Sequence, residues 1–216
     1  MNVNRQAKVV LCYGDSNTWG QNDDNNFASR YASNVRWTGK LQELLGDGYY
    51  IIEEGLGGRT TNLDRYNPAK QSQNGLSYFK SCIISHSPLD MVVIMLGTND
   101  LKSRYERPAR EIADTLKLFV DEVYANNSNA VILLVAPIFV DDTAPKFTEY
   151  YAGTYDKVSA EKSRQLGNEI KRLADETNSL FFDAATVSKP GKDGIHLDEQ
   201  SHSLLAQSLA EIIKNE

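Results

Sequence analysis

Five short apolar runs alternate with helical patterns along this 216-residue chain, and the alternation limits the folds that it can adopt. The runs are rich in branched residues, which is typical of parallel strands buried on both faces. They cover residues 8–13, 49–53, 91–96, 131–136 and 180–183. The alternation predicts right-handed crossovers, with helices on both faces of one parallel sheet.

Five further segments carry apolar residues at helical spacing. They cover residues 35–45, 76–86, 107–124, 155–177 and 198–214. We therefore predict a three-layer α/β/α protein around a five-stranded parallel sheet, forming one domain over residues 1–216. Within this class of folds, a flavodoxin-like strand order of 2-1-3-4-5 is expected.

Composition and charge exclude several classes of protein. The net charge is −6 and no run of Lys and Arg occurs, which argues against a nucleic-acid partner. No apolar stretch is long enough for a signal peptide or a membrane span, so we expect a soluble, cytoplasmic protein without a membrane partner. The two cysteines, Cys12 and Cys82, lie in apolar segments and are expected to be buried thiols.

Neither a metal ion nor an organic cofactor is predicted. The sequence has no cluster of His, Cys and Asp with the spacing of zinc ligands. Gly55-Leu56-Gly57 follows a predicted strand, but the third glycine of a dinucleotide-binding fingerprint would fall at Thr60. A Rossmann-type cofactor site is therefore disfavoured.

Gly14-Asp15-Ser16 stands where the first predicted strand ends. Because ligands bind at the carboxyl ends of strands in open α/β sheets, a serine at this turn is a candidate nucleophile. A cap for the next segment is an equally simple interpretation of Ser16 taken alone. Gly20 lies four positions after Ser16 rather than two, so the turn is not the nucleophile elbow of the α/β-hydrolases.

Asp193 and His196 stand three residues apart, at the expected start of the last helix. If the segment turns into that helix, Asp193 can accept a hydrogen bond from Nδ1–H of His196, and Nε2 is then free to take a serine proton. A turn at Asp193-Gly194 is the structural alternative. The other histidines, His86 and His202, have no such neighbour and are interpreted as structural.

Two loops that follow strands offer donors for the negative oxygen that forms when an ester carbonyl is attacked. The glycines of loop 55–58, which ends at Gly58, let a backbone N–H approach a ligand closely. Asn99 follows the third strand and offers a side-chain amide. Tight turns and caps explain each group singly, but four strand ends that each present a fitting group favour a catalytic site.

Two long loops, 21–34 and 137–153, leave the carboxyl ends of strands and are expected to border that site. The side chains that we expect to line a substrate pocket there are Trp19, Phe139, Phe147 and Ile195. Core packing is an equal alternative for the aromatic side chains among them.

Four short blocks occur in order along nearly the whole chain. They are Gly14-Asp15-Ser16, Gly58, Gly97-x-Asn99-Asp100 and Asp193-x-x-His196. Together they resemble the blocks of the SGNH hydrolase superfamily, also called the GDSL esterases and lipases. The resemblance implies the SGNH hydrolase fold, with Ser16 as nucleophile, His196 as base and Asp193 as the acid that orients it. It also implies an oxyanion hole formed by the N–H groups of Ser16 and Gly58 and by the Asn99 side chain.

Longer segments are similar to the bacterial arylesterase and acyltransferase subgroup, although Asn17 stands where the family usually has Leu. The similar segments are 14–20, 36–39, 53–56, 59–62 and 96–100. The similarity implies a cofactor-free serine esterase for short-chain acetyl and aryl esters of small molecules. Members of the subgroup include acyltransferases to alcohols and homo-oligomers. Two alternatives remain open: a carbohydrate O-acetyl esterase and a catalytically inactive binding module.

Overall fold

The computed structural model describes residues 3–24, 29–64 and 72–216, and its centre is a five-stranded parallel sheet. The strands are β1 Lys8–Gly14, β2 Tyr49–Gly55, β3 Met91–Met95, β4 Val131–Ala136 and β5 Leu180–Asp183. They lie in the order β2-β1-β3-β4-β5, and every neighbouring pair is parallel. The predicted α/β class and the flavodoxin-like strand order are confirmed.

Seven α-helices connect and flank these strands within the described residues. They are α1 Ser16–Trp19, α2 Trp37–Leu45, α3 Gly75–His86, α4 Ala109–Asn126, α5 Phe147–Tyr151, α6 Lys157–Thr177 and α7 Glu199–Lys214. Several begin later than predicted because the capping residue stands outside the helix. Pro108 precedes α4, Asp156 caps α6, and Asp198 caps α7 by accepting the N–H of Ser201.

Alternate residues of β1 point to opposite faces of the sheet and enter two separate hydrophobic cores. Leu11 and Tyr13 pack in the core that α3, α4 and α6 cover. Val10 and Cys12 pack in the core that α2 and α7 cover. Helices therefore lie on both faces of the sheet and form the three predicted layers.

The two cysteines lie in the interior, Cys12 on β1 and Cys82 on α3, and neither forms a disulfide. Burial raises the pKa of the Cys82 thiol to about 12, so this side chain stays protonated at neutral pH. Within the described ranges, no helix combines the length and the apolar character that a bilayer crossing requires.

The carboxyl ends of β1, β2 and β3 meet at one edge of the sheet. Gly14, the last residue of β1, pairs with Gly55 of β2 on one side and with Met95 of β3 on the other. The strand order changes direction at β1, and such a switch point is where open α/β sheets bind ligands. The loops after these three strands therefore start side by side around one crevice.

Candidate active site

Ser16 opens helix α1 directly after β1. The cap of that helix is Asp15 rather than Ser16, because Asp15 Oδ1 accepts the backbone N–H of Asn17 at 2.9 Å. A side chain on Gly55 would lie 2.2 Å from the backbone nitrogen of Trp19, so a glycine is required where α1 packs against β2. The Ser16 hydroxyl is therefore not used as a helix cap and has another partner.

Ser16, His196 and Asp193 form a continuous hydrogen-bonded row. His196 Nε2 lies 2.8 Å from Ser16 Oγ, and His196 Nδ1 lies 2.5 Å from Asp193 Oδ2. The three residues are 5%, 2% and 1% exposed, respectively, so water does not compete for these contacts. Such a row can move a proton from the serine to the imidazole while the carboxylate fixes the ring tautomer.

Asp193 and His196 lie in the loop before α7, not at the start of that helix as the sequence predicted. Asp193 Oδ1 accepts the backbone N–H groups of Ile195 and His196, both at 2.8 Å. Gly194 has φ +79°, a conformation that favours glycine. The segment is therefore a compact turn, which places both side chains before the helix begins.

A cluster of charges ties the loop after β1 to the loop that carries His196. Asp23 Oδ2 accepts the backbone N–H of Lys192 at 2.8 Å. Asp24 pairs with Lys146 and Lys192, and hydrogen bonds from these two ammonium groups lower the pKa of Asp24 to about 2. The pairs join three loops at the carboxyl edge of the sheet. Residues 25–28 of the predicted loop 21–34 lie outside the described residues.

Ser16, Gly58 and Asn99, the three predicted oxyanion donors, border one cavity. Gly58 adopts φ +78°. Gln73 Nε2 donates to the carbonyl of the preceding residue, Gly57, at 2.7 Å. Because that carbonyl and the Gly58 N–H belong to one planar peptide group, Gln73 also sets the direction of the N–H.

The Asn99 amide is held by two partners with opposite hydrogen-bonding roles. Its Nδ2 donates to Asp15 Oδ2 at 3.3 Å, and its Oδ1 accepts from the Tyr155 hydroxyl at 3.4 Å. Burial raises the pKa of Asp15 to about 6, so at neutral pH the carboxylate is ionised and only accepts. The ionised Asp15 fixes which end of the amide is nitrogen, the Tyr155 hydroxyl then donates to the oxygen end, and the second N–H of the amide is left for a ligand.

A buried ion pair braces the loop that carries Asn99. Asp100, the next residue, is fully buried and contacts Arg107 Nη1 at 2.7 Å. The hydroxyl and the backbone N–H of Thr61 also donate to Asp100, at 2.6 and 2.9 Å. The loop after β2, which carries Gly58, and the loop after β3 therefore share one support.

A cavity of about 630 Å³ opens beside the hydrogen-bonded row. Of the four predicted pocket residues, Trp19 and Ile195 line it. Phe139 and Phe147 do not: Phe147 is buried in the hydrophobic core, and the Phe139 ring packs against the guanidinium of Arg164. Tyrosines from α5 and the segment after it form the aromatic wall instead, namely Tyr150, Tyr151 and Tyr155.

Within the described residues, one group of side chains has the composition of a metal site. Glu54, Cys82 and His86 place their potential ligand atoms within 4.8 Å of one another. His86 Nε2 and Glu54 Oε1 lie 3.0 Å apart. None of the three borders the cavity beside Ser16, so this group takes no part in chemistry there.

Sequence reasoning missed the side chains that hold the site in place. Asn17 Nδ2 donates to the carbonyl of Ile195 at 3.2 Å, and Asn17 Oδ1 accepts the N–H of Leu197 at 2.9 Å. The Tyr151 hydroxyl lies 3.4 Å from Asp193 Oδ2. The signal that could have found one of them is Asn17 itself, a polar residue where the resembling family usually has Leu.

Comparisons with known proteins place this geometry among esterases. A model of the GDSL-like lipase/acylhydrolase family matches residues 12–204. An aryl esterase of M. smegmatis is 37% identical over 97% of this chain and 99% of that chain, with a TM-score of 0.86. A carbohydrate acetylesterase from Sinorhizobium meliloti is 39% identical over 96% of this chain and 99% of that chain, with a TM-score of 0.84. No curated protein matches the chain.

Proposed function

The chain belongs to the GDSL-like lipase/acylhydrolase family and is a carboxylic-ester hydrolase, and we propose that it cleaves short-chain acetyl and aryl esters through an acyl-enzyme on Ser16. The observation that carries the proposal is the hydrogen-bonded row from Ser16 through His196 to Asp193, beside a cavity of about 630 Å³ that is large enough for a small ester. Family membership supports ester hydrolysis, and the row supports a serine route.

In the first half-reaction, His196 Nε2 takes the proton of Ser16 Oγ while that oxygen attacks the ester carbonyl carbon. Asp193 accepts Nδ1–H of the imidazole and stabilises the imidazolium that forms. The bond between the carbonyl carbon and the alcohol oxygen then breaks, and the imidazolium gives its proton to that oxygen. The products are a free alcohol and an acyl group on Ser16 Oγ.

The negative oxygen of the tetrahedral intermediate is held by the N–H groups of Ser16 and Gly58 and by Asn99 Nδ2 in this proposal. Within the described residues, neither of the two backbone N–H groups donates to an acceptor of the chain. Donors that are fixed before the charge develops stabilise it without reorganising, and one such donor is worth about 10²–10³ in kcat.

Water completes the second half-reaction. His196 Nε2 removes a proton as the water oxygen attacks the acyl carbon, and Ser16 Oγ leaves with that proton. An alcohol in place of water gives acyl transfer by the same steps. We propose acyl transfer to alcohols as well, because Trp19 and Tyr150 line the cavity and an alcohol packs on aromatic rings better than water does.

A carbohydrate acetyl ester is the second candidate substrate, favoured by the mixture of side chains in the cavity wall. Trp19 and Tyr150 offer ring faces, while Gln21 and Gln73 offer amides. A sugar presents apolar C–H faces and hydroxyl edges, so it fits such a mixture. The similar protein from Sinorhizobium meliloti is a carbohydrate acetylesterase.

A fluorophosphonate probe tests the serine route because it forms a covalent adduct with an activated serine. We expect intact-mass and peptide-mapping measurements to find one adduct, on Ser16, and none in Ser16→Ala protein. An unlabelled wild-type protein would favour an inactive binding module, and an adduct on another residue would overturn the assignment of the nucleophile.

Substrate rank is tested with p-nitrophenyl esters of increasing acyl length and with acetylated xylose. We expect the highest kcat/KM for acetyl among the p-nitrophenyl esters. A higher value for acetylated xylose than for p-nitrophenyl acetate would favour the carbohydrate ester. Added alcohol, with the product ester measured by gas chromatography, reports acyl transfer.

A further inference from the structure

The wall of the cavity beside Ser16 is positively charged, although the protein as a whole is acidic. The chain has 29 Asp and Glu against 23 Lys and Arg. Yet Lys102 and Arg104 line the cavity, and no Asp or Glu among the described residues does. Lys102 and Arg104, the Lys and Arg side chains that line the cavity, therefore carry charge of the opposite sign to the net charge of the molecule.

Both cations border the same cavity as the proposed oxyanion donors, and each packs against a tyrosine ring. They follow Asn99 in the loop after β3. Lys102 Nζ lies 6.0 Å from the centre of the Tyr155 ring, and Tyr155 in turn contacts Asn99. The Arg104 guanidinium carbon lies 4.6 Å from the centre of the Tyr105 ring, and Nη2 donates to the Tyr105 hydroxyl at 2.8 Å. The two charges are thus held in position at the cavity wall.

Lys102 and Arg104 differ in their interactions with other groups of the protein. The charge of Lys102 offsets part of the pKa rise that burial imposes on Asp15 and Asp100, so Lys102 also supports buried carboxylates. Arg104 is exposed, and its described hydrogen bond goes to a neutral phenol. A guanidinium at such a position can form two parallel hydrogen bonds to a carboxylate. Arg104 is therefore the side chain best suited to bind an anionic group.

We propose that the natural substrate is an ester whose alcohol portion carries a carboxylate, which Arg104 binds with Lys102 beside it. The inference rests on the proposed esterase function, since the carbonyl must lie at Ser16. The carboxylate belongs to the alcohol portion because the acetyl group of the proposed substrate carries no ionisable group. Trp19 and Tyr150 provide a surface for the ring, aromatic or sugar, that joins the carboxylate to the ester oxygen.

Two acetate esters of the same shape separate charge recognition from catalysis. These are 4-acetoxybenzoate, which is an anion at neutral pH, and 4-acetoxybenzamide, which is neutral. The measured quantity is the ratio of their kcat/KM values, so an effect on the chemical step common to both cancels. A second pair, an acetylated methyl glucuronoside and its glucuronamide, applies the same comparison to a sugar ring.

We expect Arg104→Gln to lower the charged-to-neutral ratio by about threefold, and the double variant with Lys102→Gln to lower it by about tenfold, as expected for partly exposed ion pairs. Added NaCl is expected to lower the wild-type ratio, because salt screens exposed charges. Arg110→Gln is the matched control: Arg110 is exposed on α4 beside Asp114 and does not border the cavity. Its ratio should equal that of the wild type.

A ratio that neither variant nor salt changes, in both substrate pairs, would overturn the inference. That outcome differs from failure of the proposed function, in which wild-type protein would release no phenol from the neutral amide either. An effect in only one pair supports the inference and identifies the ring as aromatic or as a sugar.

Discussion

Asn17 holds the main chain on both sides of His196. Its side-chain amide donates to the carbonyl of Ile195 and accepts the N–H of Leu197, at 3.2 and 2.9 Å. Because Asn17 directly follows Ser16 on α1, these two bonds connect the backbones of the proposed nucleophile and the proposed base. The 2.8 Å contact between Ser16 Oγ and His196 Nε2 is thereby supported by a second pair of hydrogen bonds beside it.

Replacing Asn17 by the residue that the resembling family usually carries tests this support. Asn17→Leu leaves the buried N–H of Leu197 without its acceptor, which costs about 1–3 kcal/mol of unfolding free energy. We expect kcat for p-nitrophenyl acetate to fall roughly tenfold with a smaller change in KM, because the His196 ring is less well placed. Urea unfolding and steady-state kinetics measure the two effects. Reduced stability with unchanged kcat would contradict the positioning role.

Removing the proposed nucleophile should abolish turnover without affecting the fold. We expect Ser16→Ala to lower kcat by ~10⁴-fold or more, because the acyl-enzyme can no longer form. Ser203→Ala on α7 is the control, since this serine lies outside the cavity wall and should keep wild-type activity. Esterase assays and thermal melts of both variants check the result. Substantial activity in Ser16→Ala protein would refute the mechanism.

The hydrogen bonds that Asp15 and Tyr155 make with the Asn99 amide predict a large loss of kcat when Asn99 is removed and a smaller loss when only the Tyr155 hydroxyl is removed. Asn99→Ala removes the donor and is expected to lower kcat by about 10²–10³-fold. Tyr155→Phe removes only the hydrogen bond to Asn99 Oδ1, and we expect a loss of about tenfold in kcat with KM little changed, because the amide is less well oriented. Steady-state kinetics on p-nitrophenyl acetate measure both effects, and a change in KM alone for Tyr155→Phe would contradict the role of Tyr155 in orienting Asn99.

Gly97, two residues before Asn99, has φ +127°, where other residues are strained. A side chain there would also lie 2.9 Å from Leu166 Cδ2 and 3.3 Å from Ile112 Cγ2. We expect Gly97→Ala to lower the unfolding free energy by about 1–3 kcal/mol and to lower kcat, because the loop that carries Asn99 shifts.

The matched control for that substitution is Gly48→Ala. Gly48 is exposed, and an added Cβ would meet nothing within 4 Å. The unfolding free energy of the Gly48→Ala variant should equal that of the wild type or be slightly higher, because alanine restricts the conformations of the unfolded chain. Equal stability of the two alanine variants would show that the backbone at Gly97 tolerates a side chain.

Because the His202 imidazole is buried, we expect the protein to lose stability in acid. Burial lowers the pKa of its imidazole from 6.5 to about 3. As the pH falls below 6.5, the unfolded chain binds a proton that the native state does not bind, so stability is lost between pH 6.5 and 3. Between pH 7 and pH 5, the contribution of His202 lowers the unfolding free energy by about 2 kcal/mol.

His202→Asn isolates this effect, because the asparagine oxygen can replace Nδ1 as acceptor for the N–H of Trp37 but does not titrate. Urea unfolding at both pH values should show a smaller acid-induced loss in the variant than in the wild type. Equal losses would mean that His202 is protonated in the native state.

The spacing of apolar residues along the chain is enough to predict the five strands and the five longer helices, because it reports which face of each element is buried. The sequence also predicts that Ser16, Gly58 and Asn99 follow strand ends at one edge of the sheet, since the carboxyl ends of parallel strands meet there.

The side chains that hold and surround the site depend on tertiary contacts, which no local sequence pattern predicts. Phe147 and Tyr151 belong to the same short helix, yet Phe147 packs in the core and does not border the cavity, whereas Tyr151 lines it. The partners of Asn17 lie far along the chain, and the direction of Gly58 N–H depends on Gln73. Contacts between distant residues depend on how loops pack in three dimensions, and hydrophobic periodicity carries no information about that packing.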